Sequence, residues 1–137
     1  MEDHQINSKE FENRTNIDPT LFKWNKKSGN GTYKKYYGNG NLRLEVTYKD
    51  RKRDGIYKKY YKNGNIWIEA IYKDGKLNGV YKEYYYSSGN LEVETTYKDG
   101  KLNGVYKEYY GNGNVMLDTT YKNGKLDGFY KKYYRNG

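Results

Sequence analysis

Residues 79–103 read GVYKEYYYSSGNLEVETTYKDGKLN, and the chain keeps returning to that phrase. It recurs at Gly104 as GVYKEYYGNGNVMLDTTYKNGKLD, stands earlier at Gly55 and Gly31, and opens a fifth time at Gly128. Successive openings are 24, 24, 25 and 24 residues apart. A fixed period of this size marks an array of stacked units, each completing its core with its neighbours. Units therefore fall at 31–54, 55–78, 79–103 and 104–127, with a partial one at 128–137.

Inside a unit the apolar residues alternate with polar ones. Leu42, Leu44, Val46 and Tyr48 share a parity, as do Ile66, Ile68, Ala70 and Tyr72 in the next copy. Alternation over such a run is the pattern of a half-buried strand, and no 3.6-residue period competes with it. The two halves of a unit are joined by Asn39-Gly40, Asn63-Gly64 and Asn112-Gly113, the strongest short hairpin signal, which predicts two-residue type I′ loops. The third copy has Tyr86-Ser87-Ser88-Gly89 there, predicting a longer loop with Gly89 left-handed. The fold class expected is all-β: an elongated, single-layer antiparallel sheet of tandem β-hairpins.

That register places Tyr37 opposite Leu42, Lys35 opposite Leu44 and Tyr33 opposite Val46. On the other side it sets Lys34 against Glu45, Lys58 against Glu69, Lys82 against Glu94 and Lys107 against Asp118. The second turn, Lys73-Asp74-Gly75-Lys76-Leu77-Asn78-Gly79, carries a leucine of core parity that plugs the join between units, as do Leu102 and Leu126. The first unit departs from this rule. Its Arg51-Lys52-Arg53 replaces Gly-Lys-Leu, which reads either as a decayed terminal repeat or as a functional break.

The phrase Tyr72-Lys73-Asp74-Gly75-Lys76-Leu77-Asn78-Gly79, followed by Tyr84-Tyr85, resembles the MORN repeat, in the longer variant found in bacteria and in antitoxin-like proteins. The resemblance covers residues 31–137 and, faintly, 20–30. It implies a trough-shaped sheet, no enzyme chemistry in the repeats, and a scaffold that binds proteins or acidic phospholipids.

Composition fits such an array. Only 34% of the 137 residues are hydrophobic, but all 20 tyrosines lie inside the repeats and supply aromatic area instead. Cysteine is absent, which removes disulfides and thiolate metal sites, and the single histidine, His4, lies in a polar stretch before the array. No nucleophile has a base at a useful spacing, so no catalytic residue, metal or cofactor is expected. Residues 1–19 read as a polar tail and 20–30 as a degenerate half-unit, with Trp24 at the position of Tyr48. No run has the ~20 apolar residues of a membrane helix, and the compartment stays open between cytoplasm and export.

The net charge of +9 is concentrated in the first two units and the last segment. Tyr36, Tyr60, Tyr84 and Tyr109 share the outward parity with Lys34 and Lys58, and Trp67 and Ile71 join them by simple alternation. Those eight residues are the candidate surface for a protein partner. Arg43, Arg51, Lys52 and Arg53 are the candidates for the alternative, an anionic lipid surface or other polyanion, while nucleic acid is not expected. Strand 128–134 lacks the hairpin partner every earlier copy has. That predicts either an array cut short or edge-to-edge self-association through this strand.

Overall fold

The computed structural model describes residues 22–25 and 29–137. The expectations placed on residues 1–19, His4 among them, lie outside the described residues. The chain forms ten strands: β1 (Phe22–Asn25), β2 (Asn30–Tyr36), β3 (Leu42–Lys49), β4 (Lys52–Tyr60), β5 (Ile66–Lys73), β6 (Lys76–Tyr84), β7 (Leu91–Lys98), β8 (Lys101–Tyr109), β9 (Val115–Lys122) and β10 (Lys125–Lys132). They pair in chain order, each antiparallel to the next, as one open sheet. Hairpins of tandem repeats allow no other order without long crossovers.

The asparagine-glycine turn departs from the two-residue type I′ loop expected of it. At Asn39-Gly40 the loop closes on Tyr37 and Asn41: the Tyr37 N–H donates to the Asn41 carbonyl (2.8 Å) and the Gly40 N–H to the Tyr37 carbonyl (3.0 Å). Gly40 is left-handed at φ 94° while Asn39 is not, so this is a three-residue loop of type I turn plus glycine bulge. The two-residue type I′ loop sits at the second turn, where Asp74 and Gly75 have φ of 50° and 83° and Lys73 pairs with Lys76. At the asparagine rim the longer loop is matched by one extra residue in each odd strand. Tyr36 pairs with Leu42 and Lys35 with Leu44, leaving Arg43 bulged; Trp67 is bulged in the same way in β5. The bulge cancels the longer loop, and beyond it the expected register holds: Tyr33 pairs with Val46 and Lys34 with Glu45. In the third unit Gly89 is left-handed at φ 74°, as its longer loop requires.

Core residues gather on one side, the tyrosine face: Tyr33, Val46, Tyr48, Tyr57, Ile68, Ala70 and Tyr72, with Leu44, Trp67, Leu77 and Tyr81 packed against them. Ring edges meet from strand to strand, as between Tyr57 and Tyr72 at 5.6 Å and 60°. The tyrosine doublets are divided between faces. The second member of each stays on the tyrosine face and pegs the following unit: the Tyr37 hydroxyl donates to the Tyr60 carbonyl (2.6 Å), Tyr61 to Tyr84, Tyr85 to Tyr109 and Tyr110 to Tyr133. Asparagines tie the same rim, with Nδ2 of Asn39 and of Asn41 both donating to the Lys62 carbonyl.

Two expectations about faces change. Leu42, Ile66, Leu91 and Val115, expected on the core side, pair with Tyr36, Tyr60, Tyr84 and Tyr109 and so share their side of the sheet. Arg53 does not leave the join unplugged. It fills the leucine position itself at 3% exposure, its guanidinium 4.8 Å from the Tyr57 ring and 5.2 Å from that of Tyr72, with Nη1 donating to the Tyr72 hydroxyl.

Candidate functional site: the lysine face

The side opposite the core is ordered into rows that cross the strands. One row alternates in sign without a break: Lys34, Glu45, Lys58, Glu69, Lys82, Glu94, Lys107, Asp118, Lys131, each in register with the next. The hairpin register gave half of these pairings; the joins between hairpins supply the others. Lys58 and Glu69 approach to 3.9 Å, an exposed pair of at most about 1 kcal/mol.

Beside this ladder on the asparagine rim stand Tyr36, Tyr60, Tyr84 and Tyr109. The hydroxyls of Tyr84 and Tyr109 donate to Glu69 and Glu94 at 3.0 Å. Burial and then that bond push the pKa of each phenol up to about 12. Tyr84 and Tyr109 are thus tied to the ladder's carboxylates.

On the other flank runs an apolar row: Ile56, Ile71, Val80, Val105 and Phe129, each between 42 and 51% exposed. Thr47, Thr96 and Thr120 occupy the remaining strands. The opening glycines explain how this row packs flat. A Cβ at Gly79 would meet the Ile71 Cβ at 3.3 Å, and one at Gly104 would collide with the Thr96 hydroxyl. Side chains of the odd strands therefore lie across the glycines, which carry φ of 128° and 126°. Exposed apolar side chains aligned in one row and bordered by charge, here with Thr96 and Thr120 between them, are the mark of a surface that meets another molecule.

Of the sequence candidates, Tyr36, Tyr60, Tyr84, Tyr109, Lys34, Lys58 and Ile71 come together on this face. Trp67 does not. The bulge rotates it to the tyrosine face, where it stacks on Tyr61 at 5.1 Å and 16° and carries the Lys59 ammonium 4.4 Å above its ring. The second candidate group is dispersed. Arg43 is bulged toward the Tyr37 ring (5.6 Å), Arg51 is exposed at a turn tip, Lys52 lies on the lysine face, and Arg53 is buried. Ile56, Val80, Val105 and Phe129 were missed. Each follows an opening glycine by one residue, and that fixed offset was the available signal.

On the tyrosine face, Glu83 and Glu108 accept from the Tyr81 and Tyr106 hydroxyls at 2.7 Å. Glu92 shares their field, and partial burial together with those two carboxylates raises its pKa above the ordinary value. Among the described residues no group of three His, Cys, Asp or Glu side chains could hold a metal ion.

Comparison with curated proteins gives no match. Residues 29–50, 53–74, 77–99 and 102–123 match the model of the MORN repeat variant, a family of generally non-catalytic repeat modules. With more than half of its length covered by four such repeats, each holding one asparagine-rim hairpin, the chain belongs to the MORN repeat variant family.

Proposed function

We propose that the chain is a non-enzymatic binding scaffold whose lysine face receives a protein partner. The observation that carries this reading is the apolar row Ile56, Ile71, Val80, Val105 and Phe129, exposed on five of seven adjacent strands between two charged rows. Fixed rows on a hydrogen-bonded sheet lose little freedom on docking, which favours association at a given buried area. A toxin held by this face is the specific form of the partner suggested by the longer-repeat resemblance.

The native chain lacks cysteine, so single thiols can be placed at will. Val80→Cys and Val105→Cys, each carrying a photo-crosslinker, should capture a partner that Glu108→Cys, on the tyrosine face, does not. Capture from Glu108→Cys alone would reject the face assigned. Co-expression with a captured toxin would then show whether the chain protects the cell from it.

A further inference from the structure

The outermost row of the lysine face holds the feature that the fold explains least. Lys49 pairs directly with Lys52, Lys73 with Lys76, Lys98 with Lys101, and Lys122 with Lys125. Eight consecutive strands, β3 to β10, thus each place one exposed lysine at the same rim. Like charges directly opposite one another weaken a strand pair, and this arrangement recurs in all four units. Among the described residues none of the eight makes an ion pair. The turns that carry them, 49–52, 73–76, 98–101 and 122–125, hold nine cations against the carboxylates of Asp50, Asp74 and Asp99.

Three of these lysines, Lys52, Lys76 and Lys101, lie with their stems along the glycine of the next turn. A Cβ at Gly75 would sit 3.7 Å from the Lys52 stem, and at Gly100 and Gly124 it would sit 3.8 Å from those of Lys76 and Lys101. These three stems therefore run from one turn toward the next. At roughly 4.8 Å per strand the row runs for about 34 Å. Inward of it, past Asp54, Asn78, Asn103 and Asp127 on the even strands, lies the apolar row of Ile56, Ile71, Val80, Val105 and Phe129. Asp54, Asn78 and Asn103 accept from the Asp74, Asp99 and Asn123 N–H groups of the next turn.

We propose that these two rows form one docking strip for an acidic, aliphatic-striped segment of a partner protein, lying along the array across its strands. Its apolar side chains seat on the Ile/Val row, and its carboxylates reach the lysines. Charge complementarity selects the occupant. The strip is cationic on one margin only, while its inner margin, the alternating ladder, is nearly neutral. A partner with acid on one flank of an apolar stripe matches that asymmetry. A nucleic acid would find one aromatic ring, Phe129, among the aliphatics of the strip, too few for bases to stack on. This assignment rests on the protein-scaffold reading and names the chemistry of its partner.

The test uses the full chain and a labelled synthetic peptide with a leucine stripe flanked on one side by glutamates. Its lysine-for-glutamate twin, phosphatidylserine-containing vesicles and a thymidine oligonucleotide serve as comparators. The glutamate peptide should bind and its twin should not. Lys52→Gln/Lys76→Gln/Lys101→Gln should weaken binding roughly tenfold, as should Val80→Ser/Val105→Ser, with circular dichroism showing each variant folded. Lys35→Gln/Lys62→Gln/Lys132→Gln removes the same charge away from the strip and should change affinity by less than about twofold. Equal loss in both triple variants, stronger binding of the vesicles or the oligonucleotide, or no binding of the peptide would overturn the assignment. A native partner crosslinked at Val80→Cys but indifferent to the lysine triple rejects this inference and leaves the scaffold standing. Crosslinking on the tyrosine face alone rejects both.

Discussion

Trp67 and Tyr61 stack with ring centroids 5.1 Å apart on the tyrosine face, the side that simple alternation along β5 denies to Trp67. The bulge at this position moves the indole from solvent to the margin of the core and places the Lys59 ammonium over it. Trp67→Ala should therefore lower stability by about 2–3 kcal/mol, more than an exposed aromatic would cost. Urea unfolding of the two proteins measures it, and a loss within about 0.5 kcal/mol would place the indole in solvent after all.

Arg51 holds φ 66° in the first unit's type I′ turn, where the other units place Gly75, Gly100 and Gly124 at 83–84°. A left-handed non-glycine residue costs about 1–2 kcal/mol, partly offset by the extra freedom glycine gives the unfolded chain. Arg51→Gly should raise stability by roughly 0.5–1 kcal/mol on that balance. The urea midpoint should move upward with an unchanged slope.

Gly104 lies beneath Thr96, whose hydroxyl donates to the Asn103 carbonyl at 2.5 Å. Gly104→Ala meets both a steric conflict and an unfavourable φ of 126°, and should cost about 2–4 kcal/mol. Adding Thr96→Ala should recover part of that loss, because it relieves the collision and leaves the backbone strain. Complete recovery would show that strain contributes nothing here.

Glu92 provides a pH signature. Its folded pKa lies above the ordinary carboxylate value, through burial first and then Glu83 and Glu108. The folded state thus binds this proton more tightly than the unfolded state does. Ionisation of Glu92 therefore removes stability as pH rises from the ordinary carboxylate pKa through the raised folded one. Glu92→Gln should be more stable than the parent at pH 7, and the difference should vanish at about pH 3. An advantage that persists unchanged in acid would have another origin.

Much of the fold was legible because the sequence repeats its evidence. Lys34 against Glu45 and Tyr33 against Val46 follow from alternation and a glycine turn, and both pairings are present. Near the asparagine rim the reading fails by one residue. Asn39-Gly40 is compatible with a two-residue loop or with a three-residue loop plus bulge, and nothing local separates them. In the loop that forms, Asn39 Oδ1 accepts from the Asn41 N–H, and Asn39 and Asn41 both reach the Lys62 carbonyl of the next unit, a contact that exists only once the units stack. Trp67 changed face for that reason. Arg53 hid its role because a guanidinium lies flat between two rings and satisfies the geometry of a leucine plug. The lysine row went unseen because the sequence reading set no pairing register for the second turn. Once Asp74-Gly75 closes in two residues, Lys73 and Lys76 must face each other.

Single-cysteine accessibility tests the division of the two faces most directly. Ile71→Cys, Val80→Cys and Val105→Cys should react rapidly with a thiol reagent and become protected when the partner binds. Ala70→Cys and Thr119→Cys, on the tyrosine face, should stay slow in both states, since the parent residues are 2% and 0% exposed. Rapid labelling at positions 70 and 119, or protection by the partner at these alone, would contradict the account.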